Sequence, residues 1–235
     1  DKADLSYADF NDATLDEARF ARANLSHVDL AGKDLKGSIL VRVDLSDTKL
    51  TGADLSFANL SQATLSENDL TGTKLVGANL QHANLEGANV KNADFTSADF
   101  AYANLVGTNL QDAKVNDATF EGVKFKGFDI SFGSMPEIDF RKSDLSGAIL
   151  TNADLAGIDL TKADLSGQDL SDKDLTNTIL WAANLTDVIL PDGVLSGKNF
   201  EWTIFNGVDL SGKDLSHSNF QYATFDNANL EGANL

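Results

Sequence analysis

A large apolar residue stands at every fifth position of this chain, from Leu5 to Leu235, without exception. The 47 residues at these positions are 32 Leu, 11 Phe, two Val, one Ile and one Met. Two places before this central residue, Ala occurs in 23 repeats, and the residue immediately before it is Asp in 19 repeats and Asn in 12. The repeating unit is therefore Ala-(Asp/Asn)-Leu-x-x, and its length restricts the backbone that the chain can adopt.

A period of five excludes a regular helix or a long strand as the element that buries the central residues. On an α-helix they would spread around the axis, and on a straight strand they would alternate between two faces. The period is satisfied by a short strand with Ala and Leu inward and Asp/Asn outward, followed by a turn. Pro136 and Pro191 both follow a central residue directly, and Gly takes the second place after it in 16 repeats. This pattern predicts type II turns, which need a positive φ at that second place.

A chain that turns every five residues closes into a three-sided or four-sided coil. Successive coils then stack through parallel ladders about 4.8 Å apart. The spacing of the Phe residues favours four sides, because four Phe pairs lie 20 residues apart and two pairs lie 15 apart.

The units ADLSY, ANLSH, ADLSF, ANLEG and ADLSG resemble those of the pentapeptide-repeat family, and the resemblance covers the whole chain. It implies an all-β fold, a right-handed quadrilateral parallel β-helix that forms a pentapeptide-repeat solenoid. At 20 residues per coil, the 235 residues would make about twelve coils in a single domain, 1–235. Because solenoids need caps and the repeats reach both ends, we expect a piece cut from a longer chain, or an end-to-end homodimer.

The repeat predicts a protein that is not an enzyme. Packing residues fill the inward positions, whereas active sites are concave pockets with converging polar groups. His27, His82 and His217 stand alone, without partners at ligand spacing. We therefore expect no catalytic residue, no metal site and no cofactor. No apolar run approaches 18 residues, so no membrane span is predicted, and we expect a soluble protein, either cytoplasmic or a secreted effector.

The charge of the chain, −18 from 36 acidic and 18 basic residues, is unevenly distributed. Residues whose numbers leave remainders of 6 to 14 on division by 20 hold 22 of the acids and eight of the bases. In a four-sided coil these residues form one side, here called the acidic side. The charge argues against direct binding of nucleic acid.

Some pentapeptide-repeat proteins resemble B-DNA and bind type II topoisomerases such as gyrase. The resemblance therefore implies an alternative function as a DNA mimic that binds gyrase through an acidic face. The residues predicted for that face are Asp9, Asp29, Asp34, Asp54, Asp154, Asp174 and Asp214.

The function we favour from the sequence is a structural or interaction scaffold that binds a protein partner through its solenoid faces. Apolar residues replace Asp/Asn at several outward positions of the C-terminal half, and aromatic residues occupy one predicted corner. Exposed apolar patches of this kind mark interfaces. The predicted patch consists of Ile179, Trp181, Ile189, Val194, Trp202, Ile204 and Tyr222, and a flanking segment of the same polypeptide is the alternative occupant.

Two departures from the repeat carry further expectations. Four lysines stand at inward positions, and we expect them to turn outward past a loosened corner, because an ammonium group in a dry core costs several kcal/mol. The alternative is a local opening that binds an anion or a partner carboxylate. A distorted coil is expected from Phe128 to Pro136. The four lysines are Lys33, Lys173, Lys198 and Lys213.

Overall fold

The computed structural model describes residues 2–110, 112–125, 127–128, 130, 138–193 and 195–235. These residues contain no helix and no strand longer than one residue, and their backbone pairing consists of isolated parallel bridges. Every bridge joins a residue to the one 20 positions later, as in Asp34 to Asp54 and Asp164 to Asn184. Twenty residues with a turn every five make a four-sided coil. The preference for four sides over three is therefore confirmed.

The chain divides into two compact units, unit 1 (Asp1–Lys124) and unit 2 (Phe125–Leu235). Within each unit, parallel bridges connect successive coils at the same 20-residue interval, so each unit is a four-sided parallel β-helix. The single domain over 1–235 and the number of coils stay predictions. The expected distortion from Phe128 to Pro136 falls mainly on residues 131–137, which lie outside the described residues.

Most corners are β-turns closed by a hydrogen bond to the central residue of the repeat, whereas the corner at Pro191 is a bend. The Ala8 amide donates to the Leu5 carbonyl at 3.0 Å, and the same bond recurs along both units. Among the described residues, 24 non-glycine residues and 15 glycines at the second turn position have φ between +55° and +76°. The positive φ expected for type II turns is confirmed at these positions, but not at the corner of Pro191, whose second turn position is not among them. Bonds to the next coil hold many of the non-glycine residues in this unfavourable region, and one of them joins the Trp202 amide to the Gln221 carbonyl at 2.9 Å.

The interior is a stack of central Leu and Phe side chains over Ala. Most of these side chains are fully buried, and each buried Leu contributes about 1.5–3 kcal/mol by its removal from water. Rings one coil apart lie almost parallel, with centroids 5.0 Å apart for Phe100 and Phe120 and 5.1 Å apart for Phe205 and Phe225. The predicted inward Ala and Leu and outward Asp/Asn are thus confirmed.

Two glycines at equivalent turn positions should respond differently to substitution by Ala. Gly52 has φ +69° and open space around an added Cβ, so Gly52→Ala should cost about 1 kcal/mol of unfolding free energy from backbone strain alone. At Gly122 an added Cβ would also meet the Tyr102 ring, so Gly122→Ala should cost more. Urea unfolding measures both variants. As a control, Ser97→Ala, already at φ +57°, should change stability by less than about 0.5 kcal/mol. Equal losses at 52 and 122 would contradict the contact with Tyr102.

Candidate functional site

The Asp or Asn before each central residue has a structural role in the turn that follows. Its Oδ1 accepts the backbone amide two residues later, at 3.1 Å from Thr71 to Asp69 and 2.9 Å from Ser26 to Asn24. Asn makes the same bond as Asp, which explains why the two residues interchange at this position. Asn89 adds a bond between coils, because its Nδ2 donates to Asp69 Oδ1 at 3.1 Å. The acidic residues of the repeat are therefore first of all caps of turns.

In unit 1, lysines pair with three of the carboxylates predicted for the acidic face. Lys36 Nζ lies 3.5 Å from Asp34 and 3.3 Å from Asp54. Lys49 Nζ lies 3.0 Å from Asp29, one coil away. These pairs reduce the negative charge that this part of the acidic side presents.

The remaining residues predicted for that face make no ion pair within 4 Å in the described part of the chain. Asp154, Asp174 and Asp214 belong to one column of unit 2, a column being a set of residues whose numbers differ by multiples of 20. All three are exposed and accept the amide two residues later, at 3.1, 2.7 and 3.1 Å. Asp9 of unit 1 accepts the Asn11 amide at 2.9 Å. Unit 2 also has the larger excess of acids, 17 against seven bases, compared with 19 against 11 in unit 1.

The expectation that the inward lysines turn outward past a loosened corner is wrong. The Lys173 side chain is 6% exposed, and its Nζ donates to the Thr151 carbonyl at 2.7 Å. Lys198 Nζ donates to the Leu175 carbonyl at 2.7 Å, and burial lowers the pKa of Lys198. The ammonium groups stay in the coil wall because carbonyl oxygens of the preceding coil accept their hydrogen bonds.

The other two lysines follow the same rule. Lys33 Nζ donates to the Asn11 carbonyl, and Lys213 Nζ donates to the Leu190 and Pro191 carbonyls at 3.2 and 3.1 Å. A carboxylate of the same chain also contacts Lys213, since Asp192 lies 3.0 Å from its Nζ. All four ammonium groups thus have hydrogen-bond acceptors within the chain.

Most uncharged polar residues at the inward position also donate to carbonyl oxygens of the preceding coil, although the buried Ser38 hydroxyl has no partner and Ser143 donates to its own turn. Thr73 Oγ1 donates to the Leu50 carbonyl at 3.0 Å, and Asn68 Nδ2 donates to the Leu45 carbonyl at 2.8 Å. In each case the acceptor lies 23 residues earlier in the chain. The carbonyl already closes its own turn and has a second lone pair free for this bond. Polar residues at this position are therefore part of the wall and do not mark openings.

The aromatic residues of the predicted patch meet at one corner of unit 2. The Trp202 and Tyr222 rings stack with centroids 4.3 Å apart, and the two residues are 50% and 58% exposed. Lys162 Nζ lies 5.0 Å from the centroid of the Trp181 ring, and Trp181 Nε1 donates to Glu201 Oε2 at 3.4 Å. Lys162 and Glu201 were not among the predicted residues, although their positions one coil from Trp181 could have identified them.

Not all of the predicted patch lies at this corner. Ile179 and Ile204 stand in the two outward columns next to the corner, and Ile179 is 47% exposed. Ile189 is 56% exposed but stands ten residues around the coil from Ile179, on the acidic side. Val194 lies outside the described residues. The patch is thus two surfaces, and the name aromatic corner is used below for Ile179, Trp181, Trp202, Ile204 and Tyr222.

The described residues contain no group of three or more His, Cys, Asp or Glu side chains that could hold a metal ion. In the same residues, no helix is long and apolar enough to cross a membrane.

The model of the family described as pentapeptide repeats matches residues 3–40, 34–67, 65–100, 73–112, 88–127, 138–172 and 199–235. The chain belongs to the pentapeptide-repeat family. Pentapeptide-repeat proteins form right-handed quadrilateral β-helices, in agreement with the four-sided coils and parallel bridges of both units. No curated protein matches the chain.

Three solved structures illustrate the similarity to other pentapeptide-repeat proteins. HetL, involved in heterocyst differentiation regulation in the cyanobacterium Nostoc sp. strain PCC 7120, is 25% identical over 93% of this chain and 89% of HetL, with a TM-score of 0.41. QnrB1, a plasmid-mediated fluoroquinolone resistance protein, is 15% identical over 89% of this chain and 90% of its own, with a TM-score of 0.46. A pentapeptide repeat protein of the Arabidopsis thaliana thylakoid lumen is 31% identical over 46% of this chain and 67% of its own, with a TM-score of 0.32.

The turn caps make stability sensitive to acid. The hydroxyl and amide of Thr71 outweigh partial burial and hold the pKa of Asp69 below its ordinary value of 3.8, and those of Ser211 do the same for Asp209. A carboxylate with a lowered folded pKa stabilises the fold above its unfolded pKa, and this stabilisation is lost as pH falls through the folded pKa. The urea midpoint should therefore be nearly constant above about pH 5 and should decrease below 3.8.

A double variant, Asp69→Asn/Asp209→Asn, keeps the acceptor for both turn amides but has no carboxylate to protonate. We expect its urea midpoint to fall less between pH 6 and pH 3 than that of the original chain. The matched variant Asp69→Ala/Asp209→Ala lacks the acceptors and should be less stable at both pH values. If the Asn variant lost as much midpoint on acidification as the original chain, these caps would not be the acid-sensitive groups.

Proposed function

We propose that this protein is a non-enzymatic scaffold that binds a protein partner through the aromatic corner of unit 2. The exposed, stacked pair of Trp202 and Tyr222 is the observation that supports this most strongly. Trp and Tyr are enriched among residues that dominate binding energy at protein interfaces. The Ala182 and Trp202 amides both bond to carbonyls of the next coil at 2.9 Å, so the backbone beneath the corner is held in place before binding. A pre-organised surface loses less entropy when a partner docks.

The charge around the corner also suits a protein interface. In the segments 175–185, 195–205 and 215–225, the only Asp, Glu, Lys or Arg residues are Lys198 and Glu201. The Lys198 ammonium is already bound to backbone carbonyls. Interface cores are depleted of charged residues, and this part of unit 2 has that composition.

Photocrosslinking tests the proposed site directly. A photoreactive phenylalanine analogue at position 202 should give a discrete protein adduct in an extract of the source cells. The same analogue at Tyr102, which has a similar φ in unit 1, should not give that adduct. Excess unmodified chain should suppress the adduct, whereas excess Trp202→Ala chain should not. Identical adducts from positions 102 and 202 would contradict a specific site at the aromatic corner.

A second candidate function is a DNA mimic that binds a type II topoisomerase such as gyrase, and the acidic side of unit 2 favours it. Eleven acids and three bases of unit 2 fall on that side by residue number. Asp154, Asp174 and Asp214 project from one column without ion pairs in the described part of the chain. In unit 1, lysines pair with carboxylates of the acidic side, which makes that unit less similar to DNA in charge. We therefore assign this candidate function to unit 2.

Inhibition of DNA supercoiling by gyrase separates the two functions. If the mimic is correct, the chain should inhibit supercoiling, and the variant Asp154→Asn/Asp174→Asn/Asp214→Asn should lose most of that inhibition while keeping its turn caps. The matched variant Asp34→Asn/Asp54→Asn removes carboxylates that are already paired with lysines and should inhibit nearly as well. Absence of inhibition at micromolar chain would exclude the mimic.

A further inference from the structure

Four consecutive residues of one corner column in unit 2 differ in size and charge on an almost identical backbone. Lys162, Ala182, Trp202 and Tyr222 follow one another at 20-residue intervals, with φ of +59°, +55°, +63° and +60°. The coil spacing places them about 4.8 Å apart along the column. The order of the side chains is therefore cation, small, large aromatic and aromatic.

We propose that the partner of the aromatic corner is a second copy of this chain, docked antiparallel about a two-fold axis between the coils of Ala182 and Trp202. This inference rests on the proposed function, because it identifies the partner of the same surface. A two-fold contact presents the same patch from both copies, so the patch must be complementary to itself.

The corner column meets that requirement. The two-fold axis places Ala182 opposite the partner's Trp202, and Trp202 opposite the partner's Ala182. Each large ring therefore packs against a small residue, and the dimer contains two such contacts. It also places Lys162 opposite the partner's Tyr222. A lysine ammonium over an aromatic face is favourable, and Lys162 already makes such a contact with Trp181 within the chain.

One neighbouring pair agrees with the same register, and the others bring no charges of the same sign together. Trp181 stands opposite the partner's Glu201, and within one chain the Trp181 indole already donates to Glu201 at 3.4 Å. In the outward columns, Ile179 stands opposite the partner's Asn199, and Ile204 opposite the partner's Asn184. No pair of like charges is brought together by this arrangement.

Charge also favours a second copy over a partner of strongly acidic or strongly basic surface. A chain of net charge −18 repels its own copies at most approaches. Within unit 2 of each copy, the antiparallel contact through the aromatic corner places the acidic side away from the interface. In the segments 155–165, 175–185, 195–205 and 215–225, three acids (Asp159, Asp164 and Glu201) and two bases (Lys162 and Lys198) leave a net charge of only −1, which is too small to select a partner of strongly opposite sign.

The contact involves about four coils at a corner, so the dimer should be weaker than one with a standard interface. Sedimentation equilibrium of the full 235-residue chain from about 1 μM to about 1 mM should show a monomer–dimer equilibrium. Higher salt should strengthen association by screening the repulsion between the two acidic chains. Both Trp residues of the chain lie at this corner, so intrinsic fluorescence should shift with dimer formation.

An exchange of the small and large residues tests the register. Ala182→Trp should weaken association about tenfold because two large rings would then oppose each other, and Trp202→Ala should weaken it about tenfold by removing the ring. The double variant Ala182→Trp/Trp202→Ala should restore association, because the two-fold axis exchanges the two positions. Tyr102→Ala in unit 1 is the control and should associate as the original chain does.

Circular dichroism and thermal unfolding establish that each variant is folded. If Ala182→Trp does not fold, Ala182→Tyr makes the same test, since Tyr222 shows that the turn position accepts Tyr. A chain that stays monomeric over the whole concentration range would overturn the inference, as would a double variant no stronger than the single variants. If the chain is monomeric but position 202 still crosslinks specifically to another protein, the proposed function stands and only the second copy is excluded.

Discussion

The structure depends on the backbone hydrogen bonds between successive coils, which pair each bridge residue with the residue 20 positions later. The Leu55 amide donates to the Lys74 carbonyl at 2.7 Å, and the Asn79 amide donates to the Ala58 carbonyl at 3.0 Å. Because these bonds use only backbone atoms, side chains of very different size and charge can stand at outward and corner positions. The bonds also decide that each side chain lies against the one 20 residues later. Stacks such as Trp202 on Tyr222, and pairs such as Lys49 with Asp29, follow from this single constraint.

The same arrangement of backbone carbonyls explains why the fold accepts lysine at inward positions where alanine is usual. The carbonyl that closes each turn has a lone pair facing the next coil, and a donor at the inward position reaches it. Thr73 and Lys198 have very different side chains, yet both donate to a carbonyl 23 residues earlier. A buried ammonium group is tolerated because its hydrogen bonds to backbone carbonyls offset part of the cost of removing the charge from water. Such substitutions therefore carry no information about ligands.

The residues of the repeat serve the fold, which leaves recognition to residues that depart from it. Asp and Asn before the central residue cap turns, Leu and Phe fill the interior, and glycine relieves strain at some corners. At the aromatic corner, by contrast, Trp202 and Tyr222 bear half-exposed rings at turn positions where glycine would be easier to accommodate. The fold does not need these rings, so we interpret the corner as the place where a partner is recognised.

The sequence by itself determined the inward and outward positions and the turns with their positive φ, because steric limits and burial act within a few residues and repeat with the period. It favoured four sides over three, and the 20-residue interval of the bridges decided it. The sequence also identified the aromatic residues of the corner, because the repeat shows which positions face outward and an apolar residue there is a visible departure from the pattern. Only the tertiary structure decided which groups the long side chains reach. The Lys173 ammonium donates to a carbonyl of the preceding coil, and the Lys36 ammonium lies between the carboxylates of Asp34 and Asp54. It likewise separated Ile189 from the aromatic corner. The physical reason is that a long polar side chain has several rotamers of similar energy, and partners from neighbouring coils select among them.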